Sequence, residues 1–138
     1  MFLEYTGSTI TSHKVLRSER LKVMPLLFGR DFIAVVNAIY SVMSKIAPEY
    51  SGGLWDDFTL SNGGFFMAPQ GGDLRVVVTG NYFDAVMKPR SAGIVACLFA
   101  YSGLAHRSLS PSMADHYDAL RNFALACPDG PTIARAID

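Results

Sequence analysis

Trp55-Asp56-Asp57-Phe58-Thr59-Leu60-Ser61-Asn62-Gly63-Gly64-Phe65-Phe66-Met67-Ala68, then Pro69-Gln70-Gly71-Gly72-Asp73, then Leu74-Arg75-Val76-Val77-Val78-Thr79, is the stretch that decides the fold. Glycine pairs punctuate three short apolar runs, residues 55–60, 65–68 and 74–79. The Asn62-Gly63 step is a strong hairpin signal, because a type I′ turn needs positive φ at both central residues. The five residues 69–73 make a longer second connection. The spacing therefore predicts a three-stranded antiparallel meander. Phe58 and Leu60, like Leu74, Val76 and Val78, alternate with Trp55, Asp57 and Thr59 or with Arg75, Val77 and Thr79. One face is expected to pack on helices and the other, carrying Trp55, Asp57 and Arg75, to be half-exposed. Asp57 and Arg75 share that face and would pair if the middle strand does not separate them.

Helical period surrounds the meander. Phe32, Val35, Val36, Ile39, Val42, Met43 and Ile46 recur at helical spacing after Asp31, and Ala47-Pro48 ends the pattern. Residues 21–28 contain Pro25 and end at Gly29, so a short helical turn at most is expected there. After the sheet, Ser91 is placed to cap a helix with Ile94, Cys97, Leu98, Tyr101 and Leu104 on one face. Ser110-Pro111 opens another with Met113, Tyr117, Leu120, Phe123, Ala124 and Cys127, and Pro128-Asp129-Gly130-Pro131 breaks it. Residues 132–137 suit one last docking turn. The reading is an α/β chain of the α+β type: a small meander flanked by about four helices. Residues 1–18 show no period and are expected to be a flexible arm, leaving 19–138 as one domain.

Twelve Lys and Arg balance twelve Asp and Glu among 138 residues. Proteins that live on nucleic-acid phosphates carry a basic excess, and mimics of DNA carry a dense carboxylate lattice. Neither description fits, so no sequence-specific contact with nucleic acid is expected. The most apolar stretch, residues 92–105, is too short to span a bilayer and reads as a buried helix, so no membrane is expected either. Cys97 and Cys127 lie on apolar helical faces without a leader sequence, which suits reduced cytosolic thiols.

No catalytic, cofactor or metal constellation emerges. Asp56 and Asp57 are adjacent on a strand and point to opposite faces. His116 and Asp118 are two apart on a helix and point about 200° from one another. His106 follows a helix end, where a cation suits the dipole. The glycine pairs match neither a phosphate loop nor a dinucleotide fingerprint. What remains is Tyr50-Ser51-Gly52-Gly53-Leu54-Trp55 entering the first strand and Gly80-Asn81-Tyr82 leaving the third. A lone tryptophan at a glycine-rich rim is either a protein-binding anchor or a plug for the core edge. The candidate partner contacts are Tyr50, Trp55, Asp57, Arg75 and Asn81.

Several blocks are familiar. Leu27-Phe28-Gly29, Pro48-Glu49-Tyr50-Ser51-Gly52-Gly53-Leu54-Trp55 and Leu60-Ser61-Asn62-Gly63-Gly64-Phe65-Phe66-Met67-Ala68-Pro69 resemble the ArdB/KlcA antirestriction family. So do Ala92-Gly93-Ile94, Asp118-Ala119-Leu120-Arg121, Phe123-Ala124-Leu125 and the closing Arg135-Ala136-Ile137-Asp138. The resemblance covers about residues 20–138. It implies an α/β fold with a small antiparallel sheet, carried by plasmids and other mobile elements. It further implies inhibition of type I restriction of incoming DNA, with modification largely spared. The partner would be the type I restriction complex or a host factor acting on it, met in the cytoplasm by a monomer or weak homodimer. The family supplies no catalytic residues to carry over. Two other readings stay open: a small hydrolase- or deaminase-like enzyme using Asp57, Arg75 or His116, and an adaptor for plasmid maintenance contacting through Tyr50 and Trp55.

Overall fold

In the computed structural model, residues 9–107 and 112–138 are described. The architecture is mixed α+β, as the periodicities predicted, but the strands are distributed differently. A three-stranded antiparallel sheet has the order β1-β2-β3, with β1 at Ser12–Lys14, β2 at Trp55–Leu60 and β3 at Phe65–Pro69. Leu74–Val78 (β4) pairs instead with Phe83–Met87 (β5) in a separate two-stranded ribbon.

The expected meander is thus corrected at its third strand, and the reason lies in helix α3, Pro89–His106. The outer edge of β3, where β4 would have paired, is occupied by a stripe of α3 residues spaced four apart: Gly93, Cys97 and Tyr101. The Tyr101 hydroxyl donates to the Phe65 carbonyl at 2.7 Å, and the Met67 amide points at the Cys97 sulfur at 3.5 Å. Gly93 lets the helix backbone touch the strand: a Cβ there would lie 2.8 Å from the Ala68 Cα. A helix laid along a strand edge satisfies its backbone groups and closes it to further pairing.

The other edge is β1, inside the segment expected to be a flexible arm. Its register sets Ser12 opposite Leu60 and Lys14 opposite Phe58. Backbone bonds from Val15 to the Asp57 carbonyl (2.8 Å) and from Ser61 to the Thr11 carbonyl (2.9 Å) extend the ladder. The arm expectation therefore fails for residues 12–14; its first eight residues lie outside the described ones. Main-chain pairing of so short a strand leaves no side-chain period to read.

The β2–β3 hairpin stands as predicted, with a different turn. The Gly63 amide closes on the Leu60 carbonyl at 3.0 Å, so Ser61 and Asn62 form the corner. Positive φ occurs at Gly63 alone (87°), which is not type I′. Asn62 instead ties the tip to helix α4, Ser112–Ala126, by donating to the Ala119 carbonyl at 2.9 Å.

Residues 20–28 form a full helix, α1 (Arg20–Phe28), in place of the short turn expected. Pro25 is tolerated because the carbonyl it orphans belongs to Leu21, a residue 91% exposed and open to water. Helical turns run on through residues 29–31 into α2, Phe32–Ile46, which buries Val35, Ile39, Met43 and Ile46 and stops at an extended Ala47. The run Arg17–Ile46 contains an 18-residue window of mean hydropathy 1.5, long and apolar enough to cross a membrane by length and composition. Its inner residues are committed to the core: Phe28 stacks edge-on against Phe65 with centroids 5.8 Å apart. In α3, Ser91 sits in the first turn instead of capping it; Lys88 is the N-cap residue. The Ser110-Pro111 start lies outside the described residues, and the last helix, α5, spans Gly130–Ile137.

Candidate functional site

The five residues singled out by sequence end up in three places. Trp55 is 2% exposed, so it is a core plug and no surface anchor. Its indole N–H donates to the Tyr50 hydroxyl at 2.9 Å, and its ring packs edge-on against Tyr40 and Tyr50 at 5.2 and 5.8 Å. Tyr50 is half-buried as the lid of that cluster. The face expected to be half-exposed is covered by α1 and α2, because the long helical run wraps over it.

Asp57 is 4% exposed and belongs to the same covered face. Both its oxygens accept from the Arg20 guanidinium, at 3.3 Å each. Such a fork neutralises a buried carboxylate, which would otherwise be costly. Arg75 lies on the ribbon, not on this sheet, so the Asp57–Arg75 pair is ruled out. Arg75 forks instead onto Asp84 at 2.9 and 2.6 Å, its diagonal neighbour across β4–β5. That hydrogen bond lowers the Asp84 pKa and raises that of Arg75. Asn81 points inward as a tether: its amide donates to the Ala136 carbonyl of α5 at 2.6 Å.

Asp56 and Asp57 diverge as expected, Asp56 turning to Lys14 (3.4 Å) and Gln70 (2.9 Å). Two open grooves therefore flank the first sheet. One, of about 530 Å³, lies between α1 and α2 over Asp57 and Met67, with Leu21, Tyr40 and Leu54 at its rim. The other, of about 690 Å³, lies on the opposite face over Phe58 and Phe66, beneath Arg90, Phe123 and Asp129. Phe58 and Phe66 stack at 4.7 Å, Phe66 and Phe123 at 6.0 Å, and the Arg90 guanidinium caps Phe58 at 4.5 Å. At the wall of this groove, the Ser91 hydroxyl donates to Asp129 at 2.6 Å.

Burial shifts three other inward-facing groups, Cys97, Tyr101 and His116, toward their neutral forms. Burial pushes the Cys97 thiol up to about 12, so it carries no thiolate near neutral pH. Burial raises Tyr101 well above its usual value. It also lowers His116, whose Nε2 lies 3.1 Å from the Leu27 carbonyl while its ring packs on Phe28 at 4.4 Å. Asp57, Arg75 and His116 lie apart: Asp57 is paired with Arg20, Arg75 with Asp84, and His116 lies against the Leu27 carbonyl. Cys127 is half-buried rather than buried. Among the described residues, no group of three His, Cys, Asp or Glu side chains is arranged to hold a metal ion.

Sequence reasoning missed Arg20, 37 positions from Asp57, for which no local signal exists. It also missed the ribbon, although Gly80-Asn81 between two valine- and phenylalanine-containing runs is a hairpin cue. With that hairpin comes Tyr82, whose side chain is 98% exposed beside the tethered Asn81.

Comparison with known proteins identifies the assembly. Residues 48–138 match the family described as Antirestriction protein. The chain is 36% identical to Antirestriction protein KlcA of Escherichia coli, over 95% of each sequence. It is also 36% identical to Uncharacterized protein YafX of Escherichia coli strain K12, over 94% of this chain and 88% of that one. A solved structure superimposes with a TM-score of 0.87 at 36% identity, covering 94% of this chain and 95% of the other. That structure is described in these words: "The structure of the KlcA and ArdB proteins show a novel fold and antirestriction activity against Type I DNA restriction systems in vivo but not in vitro". By sequence and by fold, this chain belongs to the antirestriction protein family.

Proposed function

We propose that this protein inhibits type I restriction-modification enzymes, restriction rather than modification, and so protects incoming plasmid DNA. The observation that carries this reading is the likeness at 36% identity, along nearly the whole chain, to relatives described as antirestriction proteins. It acts by protein contact, without catalysis and without imitating DNA. The zero net charge supports the last point, since a DNA mimic must present a field of carboxylates. The restriction complex is the target either directly or through a host factor. The activity reported for the KlcA and ArdB proteins in vivo but not in vitro favours a component that the cell supplies. The protein works in the cytoplasm as a monomer or weak homodimer.

The test is the plating of unmodified phage on a host with an active type I system, with and without this gene. Raised plating efficiency with unchanged methylation of the progeny DNA supports the reading. Equal efficiencies sink it.

A further inference from the structure

Tyr82 combines three properties that the fold itself does not need together. Its side chain is 98% exposed and, among the described residues, makes no hydrogen bond, ion pair or ring contact. Its backbone sits in the left-handed region at φ 54° and ψ 31°, and it is the one non-glycine residue with positive φ among the described residues. Aromatic side chains adopt that region at a steric cost, and Asn or Gly would occupy it more easily. The turn is also pinned on both sides. The Tyr82 amide donates to the Thr79 carbonyl at 3.2 Å, and Asn81 is fastened to α5 through Ala136. Phe83, the next residue, is buried with Arg135 over its ring at 5.4 Å. The chain thus bears a local cost to hold the backbone beneath a bulky, water-exposed aromatic side chain in a fixed place.

We infer that Tyr82 is a preorganised contact anchor that inserts into an apolar pocket on a protein partner. Backbone strain at an exposed residue persists where surrounding structure enforces it, and such sites cluster where proteins recognise ligands. A tyrosine has only two side-chain torsions to fix and contributes large contact area, which is why tyrosine is enriched among binding hot spots. A nucleic-acid base could also stack on it, but phosphates would then need free cations close by. The nearby cations are engaged, Arg75 by Asp84 and Arg135 over Phe83, so the charges around the tip suit a neutral protein surface. The inference rests on the proposed antirestriction role and names the contact residue for it.

The closing experiment pairs Tyr82→Asn and Tyr82→Phe with the wild-type chain in the phage-plating assay, with urea unfolding of each purified protein. Asparagine accepts the left-handed backbone, so Tyr82→Asn should unfold at the same or a higher urea concentration. Its relief of restriction should fall by about tenfold or more, the loss expected for removing one aromatic anchor. Tyr82→Phe should retain the greater part of the relief. Undiminished relief by Tyr82→Asn beside an active wild type overturns the inference, as does a loss matched by a lower unfolding midpoint. A loss with Phe as complete as with Asn overturns insertion of the ring. Binding of a fluorescein-labelled single-stranded oligonucleotide that depends on Tyr82 overturns the protein partner, and so does a wild-type dimer that Tyr82→Asn makes monomeric. A wild-type chain that fails to relieve restriction is a separate result: it sinks the antirestriction reading and this inference with it.

Discussion

The two sheets are built from similar sequence and put to different uses. Every residue of β3 is buried, and the first sheet has α1 and α2 on one face, the Phe58-Phe66-Phe123 stack on the other and α3 along one edge. The β4–β5 ribbon buries one face, with Val76, Phe83 and Met87 against the core, and leaves Arg75, Asp84, Val86 and Tyr82 in water. The difference follows from what covers each edge and face, not from the strands' own composition. A covered strand is scaffold; a strand left open at a rigid tip can present side chains to something else.

The largest effect should come from the contact that closes the first sheet. In Gly93→Ala the new methyl group meets the Met67 carbonyl and comes 2.8 Å from the Ala68 Cα, both main-chain atoms that cannot swing away. The helix must lift from the strand, and a stability loss of about 3 kcal/mol is expected in urea unfolding. A loss within experimental error would mean that α3 does not seal this edge. Tyr101→Phe probes the same seal more gently. It leaves the buried Phe65 carbonyl without its 2.7 Å hydrogen bond, which should cost about 2 kcal/mol. A change near zero would show that another donor can replace the hydroxyl.

These contacts also explain what could be read in advance. The hairpin, α2 and the end of α2 at Ala47-Pro48 were legible because local chemistry dictates them: glycine at a positive φ, apolar residues at helical spacing, and proline's effect on its predecessor. That β4 is kept off the β3 edge was not legible, because Gly93, Cys97 and Tyr101 compete for that edge from some thirty residues away, although Gly80-Asn81 did offer a cue for the hairpin to β5. The same holds for the site. Trp55 and Asp57 alternate like an outward face, and only the arrival of Tyr40 and Arg20 turns that face inward. Tyr82 could not be weighed from sequence, since neither its backbone conformation nor its exposure leaves a pattern.

A smaller, pH-dependent effect should separate the two regions again. His116 packs behind the first sheet on Phe28 and Tyr101, and burial lowers its pKa below the ordinary 6.5. The unfolded chain therefore takes up this proton more readily than the folded one. The contribution is fully present above about pH 6.5 and is lost as pH falls through that value towards the lower folded-state pKa. The urea midpoint of the wild type should drop between pH 7.5 and pH 5, and His116→Gln should flatten that slope. An unaltered slope would detach His116 from the stability of the core. In the ribbon, Asp84 is lowered below 3.8 by its bond to Arg75, so any contribution there fades only in the acid range below about pH 4.

The smallest effect on stability should come from the ribbon's own ion pair. Arg75 and Asp84 are joined by a short fork, yet their side chains are 50% and 51% exposed, and water competes for both. Exposed pairs of this kind hold little net free energy, because solvent screens the attraction and ordering two long side chains opposes it. Arg75→Ala should therefore leave the urea midpoint unchanged. Arg75 remains a candidate partner contact, now as a rim charge on the outer face that ends at Tyr82. Rim charges tune approach more than they hold a complex, so relief of restriction should fall a few-fold at most. A loss as large as that of Tyr82→Asn, with the midpoint unmoved, would spread the contact over the whole outer face of the ribbon. The anchor would then be a surface, and the contrast between an enclosed sheet and a presenting one would become sharper.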